Sequence, residues 1–137
     1  MKSQRFGIEI EMTGLTRRSA ALIIAKHFDT GFRHERGIYD TYSVCDQDGR
    51  KWKIVRDASI TPQCGNRFNY DPDYKVEVVS PICHYDDIET IQSIVRELRR
   101  NGHAKVNESC GIHIHVDASK HTARSLRNIA NIMYSKE

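Results

Sequence analysis

Two segments of this chain place ionisable side chains at every second position. Phe6–Met12 reads F-G-I-E-I-E-M and Gly111–Asp117 reads G-I-H-I-H-V-D. On an extended strand, successive side chains point to opposite faces. Glu9 and Glu11 therefore project away from Ile8, Ile10 and Met12, and His113 and His115 project away from Ile112, Ile114 and Val116. A third segment, Lys75–Ser80, sets Glu77 against Val76 and Val78 in the same way. If helices cover the Ile/Val face, the other face collects Glu9, Glu11, Glu77, His113 and His115. Crowding that many carboxylates costs energy unless a cation or a basic partner compensates. Carboxylate oxygens suit a hard cation such as Mg²⁺ or Mn²⁺, which can hold phosphate oxygens at the same time.

Each element of that set has a plainer reading. An E-x-E pair on a strand is usually a solvated polar face. An H-x-H pair could be a zinc pair or could simply face solvent. Glu77 alone means nothing, and Asp57 could merely end a strand. The constellation, not any member, carries the inference.

Three helices are readable in the elements that must position these residues. The first runs from about Thr16 to Phe28, with Ala21, Ile24, Ala25 and Phe28 at helical spacing. The second is expected to open with Asp86 as N-cap and Glu89 completing a capping box. Its apolar stripe is Ile88, Ile91, Val95 and Leu98, and Asn101-Gly102 ends it. The third starts near Ser119 and aligns Ala123, Leu126, Ile129, Ala130 and Met133 on one side. Each helix has one face to bury.

Strands are predicted at Phe6–Met12, Tyr42–Cys45, Trp52–Arg56, Lys75–Ser80 and Gly111–Asp117, with a hairpin turn at Asp48-Gly49. The polar stretches from Asp29 to Asp40 and from Thr61 to Asp73 read as loops. The order predicts an α+β fold, a largely antiparallel sheet with helices on one face.

At 137 residues the chain is expected to form a single domain, 1–137, with a substantial core. Its 39% hydrophobic and 28% charged content is that of an ordinary globular chain. No apolar run reaches the length of a membrane helix, and the opening MKSQRFGIEIEM lacks the apolar stretch of a signal peptide. The expected location is the cytoplasm. A net charge of +3 is mild for a nucleic-acid binder, and the small basic groups, such as Arg99-Arg100, read as solvated helix faces. The four cysteines contain no C-x-x-C pair, so reduced thiols are expected rather than a zinc finger or a disulfide framework.

Four motifs in this order resemble the amidoligase family: F-G-I-E-I-E-M at Phe6–Met12, D-A-S-I at Asp57–Ile60, E-V-V-S-P at Glu77–Pro81 and C-G-I-H-I-H-V at Cys110–Val116. The family is related to glutamate–cysteine ligase and, more distantly, to glutamine synthetase. The resemblance implies a fold of that type and an ATP-dependent carboxylate–amine ligase, with Mg²⁺ or Mn²⁺ clamping the transferring phosphoryl group. Carried over by position, Glu9, Glu11, Glu77 and His113 would be metal ligands. Glu9, Glu11 and Asp57 would serve catalysis, and His113, His115 and Ser59 would hold the nucleotide. The substrates implied are a carboxylate and an amine, from amino acid, peptide or protein.

The sequence departs from the resemblance in length. Amidoligases of this kind are longer, so the chain reads as the N-terminal metal- and nucleotide-binding part of such a fold. It is expected to self-associate or to need a partner chain. The alternatives are a metal-dependent hydrolase using the same acids and histidines, and a non-catalytic binding module retaining the fold.

Overall fold

A computed structural model describes residues 3–65 and 67–136. The strands are β1 (Phe6–Met12), β2 (Phe32–Arg36), β3 (Thr41–Cys45), β4 (Lys51–Val55), β5 (Gln63–Cys64), β6 (Arg67–Phe68), β7 (Val76–Val79) and β8 (Ile112–Val116). The helices are α1 (Arg17–His27), α2 (Ile88–Asn101) and α3 (Ala123–Tyr134). Six strands form one sheet in the order β2-β3-β4-β7-β1-β8, and β5-β6 make a separate two-stranded ribbon. Every neighbouring pair in the large sheet is antiparallel. The α+β class and the antiparallel sheet are therefore as the sequence predicts.

The apolar alternation folds one face of this sheet onto α1 and α2. Met12, Val44, Trp52, Ile54, Val76 and Val78 pack with Ala21, Ile24 and Ala25 of α1 and with Ile91, Ile94 and Leu98 of α2 in one buried cluster. Thr16 caps α1 by accepting the Ser19 amide at 3.2 Å, and Lys26 and His27 sit in the last turn, where positive charge opposes the helix dipole. Two arginines fasten the periphery. Arg17, almost wholly buried, binds the carboxylates of Asp40 and Asp73 and donates to the carbonyls of Pro72 and Lys75. Arg50 bridges Asp46, in the β3–β4 turn, to Asp87 at 2.8–2.9 Å, just before α2.

Several expectations are corrected. The stretch 29–40 is not all loop: Phe32–Arg36 is an edge strand, tied to β3 by His34 stacked on Tyr42 and by the Ser43 hydroxyl bonded to Glu35. Within 61–73 lie the β5–β6 ribbon and a short 3-10 turn, Pro72–Tyr74. Asp86 does not cap α2. The N-cap position is Asp87, which makes no side-chain cap bond to α2; its carboxylate accepts the His84 amide at 2.7 Å in the capping box of a 3-10 turn, Tyr85–Asp87, that precedes Ile88. Ser119 does not begin α3, because its amide is held by Asp117 in a local turn at 2.9 Å. The helix starts after Thr122, which accepts the Ser125 amide.

The largest difference concerns cover. α1 and α2 shield the apolar face of the central strands, but the same face of β8 is open: Ile112, Ile114 and Val116 are 63%, 64% and 55% exposed. The stripe of α3 is open as well, with Leu126, Ile129 and Met133 all exposed. An amphipathic helix declares which of its faces is apolar, not where its cover comes from. Among the described residues, no helix is long and apolar enough to cross a membrane.

Candidate functional site

Register settles where the ionisable residues sit. Glu9 lies opposite Val79 on one side and His113 on the other, Glu11 opposite Glu77, and Gly7 opposite His115. Cross-strand partners in an antiparallel ladder share a face. Glu9, Glu11, Glu77, His113 and His115 therefore project from the same side of the sheet, away from α1 and α2.

Contacts then tie them together. The Glu9 carboxylate is gripped from both sides, by His113 Nδ1 at 3.2 Å and by His115 Nε2 at 3.2 Å. The His115 hydrogen bond is the main reason its carboxyl lies below the ordinary carboxylate range; burial pushes the other way, and the His113 bond adds to the lowering. Glu11 is buried and accepts the Gly111 amide at 2.7 Å, with its second oxygen 4.0 Å from His113 Nε2. At the end of β4, Asp57 accepts both the amide and the hydroxyl of Ser59 at 2.6 Å, which lowers its pKa as well.

Glu77 differs from these. Among the described residues its carboxylate has no hydrogen-bond partner or salt bridge. Burial first, then the charges of Glu9, Asp57 and Glu11, push its pKa up to about 7. A cation beside such an acid would favour its charged form. Ligand atoms of Glu9, Glu77 and His113 fall within 4.8 Å of one another, and so do those of Glu11, Asp57 and Glu77. The two groups share Glu77. Three carboxylates in one and two carboxylates with an imidazole in the other form a donor set that fits Mg²⁺ or Mn²⁺.

The expected residues thus divide. Glu9, Glu11, Glu77 and His113 come together, and Asp57 joins them from a loop. His115 stands beside Glu9 but in neither triad, and Ser59 turns back to seat Asp57. Ser80 shapes the strand exit: its hydroxyl accepts the Ile8 amide and donates to the Pro81 carbonyl. A methyl at Gly111 would lie 3.6 Å from Glu11 Oε2 and 3.7 Å from His113 Nε2, so the bare backbone faces the ligands. A hollow of about 340 Å³ opens beside Glu9, His115 and Val79 and runs past Gly7 and Ser80, toward the end of these strands opposite Gly111. Sequence reasoning passed over Lys75, whose ammonium holds the Ala58 carbonyl at 2.6 Å and so fixes the loop that carries Asp57. Its one signal was position, two residues before Glu77 on the same strand face.

A family model described as "Putative amidoligase enzyme" matches residues 2–137. The chain belongs to the amidoligase family. No curated protein and no solved structure matches it. Every residue of both triads falls within the matched span.

Proposed function

We propose that this amidoligase domain carries the metal and nucleotide half of an ATP-dependent carboxylate–amine ligase, built on a fold like that of glutamine synthetase and glutamate–cysteine ligase. In such a reaction a substrate carboxylate attacks the terminal phosphorus of ATP to give an acyl phosphate and ADP. The amine then attacks the acyl carbon, and phosphate leaves as the amide forms. The observation that carries this reading is the unpartnered Glu77 shared by two carboxylate-rich triads on one sheet face.

In this reading Glu9, Glu77 and His113 hold one divalent ion, and Glu11, Asp57 and Glu77 hold another. Mg²⁺ or Mn²⁺ bound there would neutralise charge on the transferring phosphoryl oxygens. The chain's own residues do the positioning. Gly111 seats Glu11, Ser59 and Lys75 seat Asp57, and His115, at the open end of the face, takes a phosphate oxygen. Loading the site would favour the ionised form of Glu77. The substrates are an amine and a carboxylate of an amino acid, peptide or protein, met in the cytoplasm. A second copy or a partner chain covers the apolar side of β8 and α3.

Mn²⁺ with ATP should raise the melting temperature more than either alone, since a ligand at a hundred times its Kd contributes about 2.7 kcal/mol. Calorimetric scans of wild type and a Glu9→Gln, Glu11→Gln variant test it. Equal shifts in both proteins would remove these residues as ligands. The imidazole in the first triad also suits a hydrolase. ATP-independent hydrolysis with Zn²⁺ would favour that alternative, whereas ADP release that requires both an acid and an amine would favour the ligase.

A further inference from the structure

One transverse row crosses the whole polar face. Register aligns Arg33, Ser43, Lys53, Val79, Glu9 and His113 on successive strands. Charge along it is divided. The acids of the triads lie on β7, β1 and the loop after β4, and the cations lie on β2 to β4. Of the row's arginine and lysine, Lys53 is the nearer to the acids. Only Val79, small and uncharged, stands between it and Glu9, and two strand spacings put their Cα atoms about 10 Å apart.

The neighbouring cations are already engaged. The Lys51 ammonium binds Glu35 at 3.0 Å, and that of Lys75 binds the Ala58 carbonyl. Glu35, on β2, is bonded by Lys51 and the Ser43 hydroxyl, and it feels the charge of Lys53 without a hydrogen bond to it. Among the described residues the Lys53 ammonium has no hydrogen-bond partner. A flexible lysine beside a divalent-cation site is suited to gripping phosphate as a point charge.

Resting on the ligase reading, we propose that Lys53 is the phosphate-holding cation of this face. It grips the far end of a polyphosphate whose near end is bound at the Glu9, Glu77 and His113 triad. The row sets the direction of the ligand: phosphate chain across Val79, toward β4. The class selected is a di- or triphosphate, because a lone carboxylate or monophosphate bound at the triad leaves Lys53 unmet.

Titration calorimetry with Mn²⁺ and then with inorganic tripolyphosphate tests this, using wild type, Lys53→Gln, Lys53→Arg and Lys51→Gln. Lys53 is exposed, so folding is not at risk, and far-UV circular dichroism verifies it. Lys53→Gln should keep the Mn²⁺ affinity and lose about tenfold in tripolyphosphate affinity, the scale of one charge-assisted hydrogen bond. Lys53→Arg should recover most of that loss, and Lys51→Gln should resemble wild type. Monophosphate should bind equally to wild type and Lys53→Gln. Tripolyphosphate binding that ignores Lys53, or a wild type that binds Mn²⁺ but no tripolyphosphate, overturns the assignment and leaves the metal site standing. A wild type that does not bind Mn²⁺ overturns both.

Discussion

Strands β1 and β8 lie side by side and carry the same alternation of isoleucine with an ionisable residue, yet they meet different surroundings. On the apolar side a single row runs from Ile54 through Val78 and Ile10 to Ile112. Exposure along it rises from 0% at Ile54 and 2% at Val78 to 63% at Ile112. The backbone geometry is the same throughout; only the helical cover ends. Alternation reports where a side chain points, and a second layer decides whether pointing there stabilises anything. On the polar side the contrast divides the site. Glu11 and Glu77 come from strands anchored in the core, while His113 and His115 come from the edge strand and stand largely in solvent. The acids stand on core strands, and the imidazoles reach them from an open edge through Glu9.

The largest test of this contrast uses matched truncations. Ile54→Ala should cost about 2–5 kcal/mol in denaturant unfolding, because it leaves a cavity between the sheet and α1. The same change at Ile114, 64% exposed, should stay within about 0.5 kcal/mol. Equal costs would mean that the β8 face is covered in solution.

Glu77 gives an intermediate effect. Its pKa rises from 4.5 to about 7 on folding. Between those values the folded chain holds a proton that the unfolded chain has lost, so stability falls as pH rises through the window. For a half-buried group, partly screened by solvent, the loss should be about 1–2 kcal/mol by pH 8. Glu77→Gln should flatten the profile and exceed wild type in ion-free buffer at pH 8, and Mn²⁺ should restore wild type at that pH. Parallel pH profiles for the two proteins would show that Glu77 is not strained by its neighbours.

The smallest expected change in stability tests the open face itself. Ile114→Asp should barely alter the unfolding midpoint, but it should weaken self-association measured by light scattering over a concentration range. An exposed apolar face beside an edge strand is a surface that pairs. A wild type that stays monomeric at every concentration would remove the second copy as the cover for this face.

The parts of the molecule that were legible in the sequence were those written in short periods. Glu9, Glu11, Glu77, His113 and His115 could be assigned to one face because three strands state their own alternation. α1 was legible from Thr16 to Phe28 because its cap and its stripe are local. The strand Phe32–Arg36 was not, since F-R-H-E-R carries a single apolar residue; it forms because Tyr42 and Ser43 supply partners across the hairpin. Nor could the triads be drawn in advance. Glu77 meets Glu11 only because β7 inserts between β1 and β4, and Asp57 arrives by a loop that Lys75 tethers. Adjacency between segments so far apart along the chain leaves no local trace.

The bond from the Gly111 amide to Glu11 Oε2 joins the buried acid of the second triad to the residue leading into the edge strand. The Glu11 carboxylate belongs to the second triad, so an ion drawing on its lone pairs must change the electron density that the amide proton feels. Glycine amides resonate in a sparsely populated region of a nitrogen–proton correlation spectrum. The backbone at Gly111 is thus a native chemical-shift probe: one peak, followed during a titration, would register loading of the buried half of the centre without a label, a chromophore or a substrate.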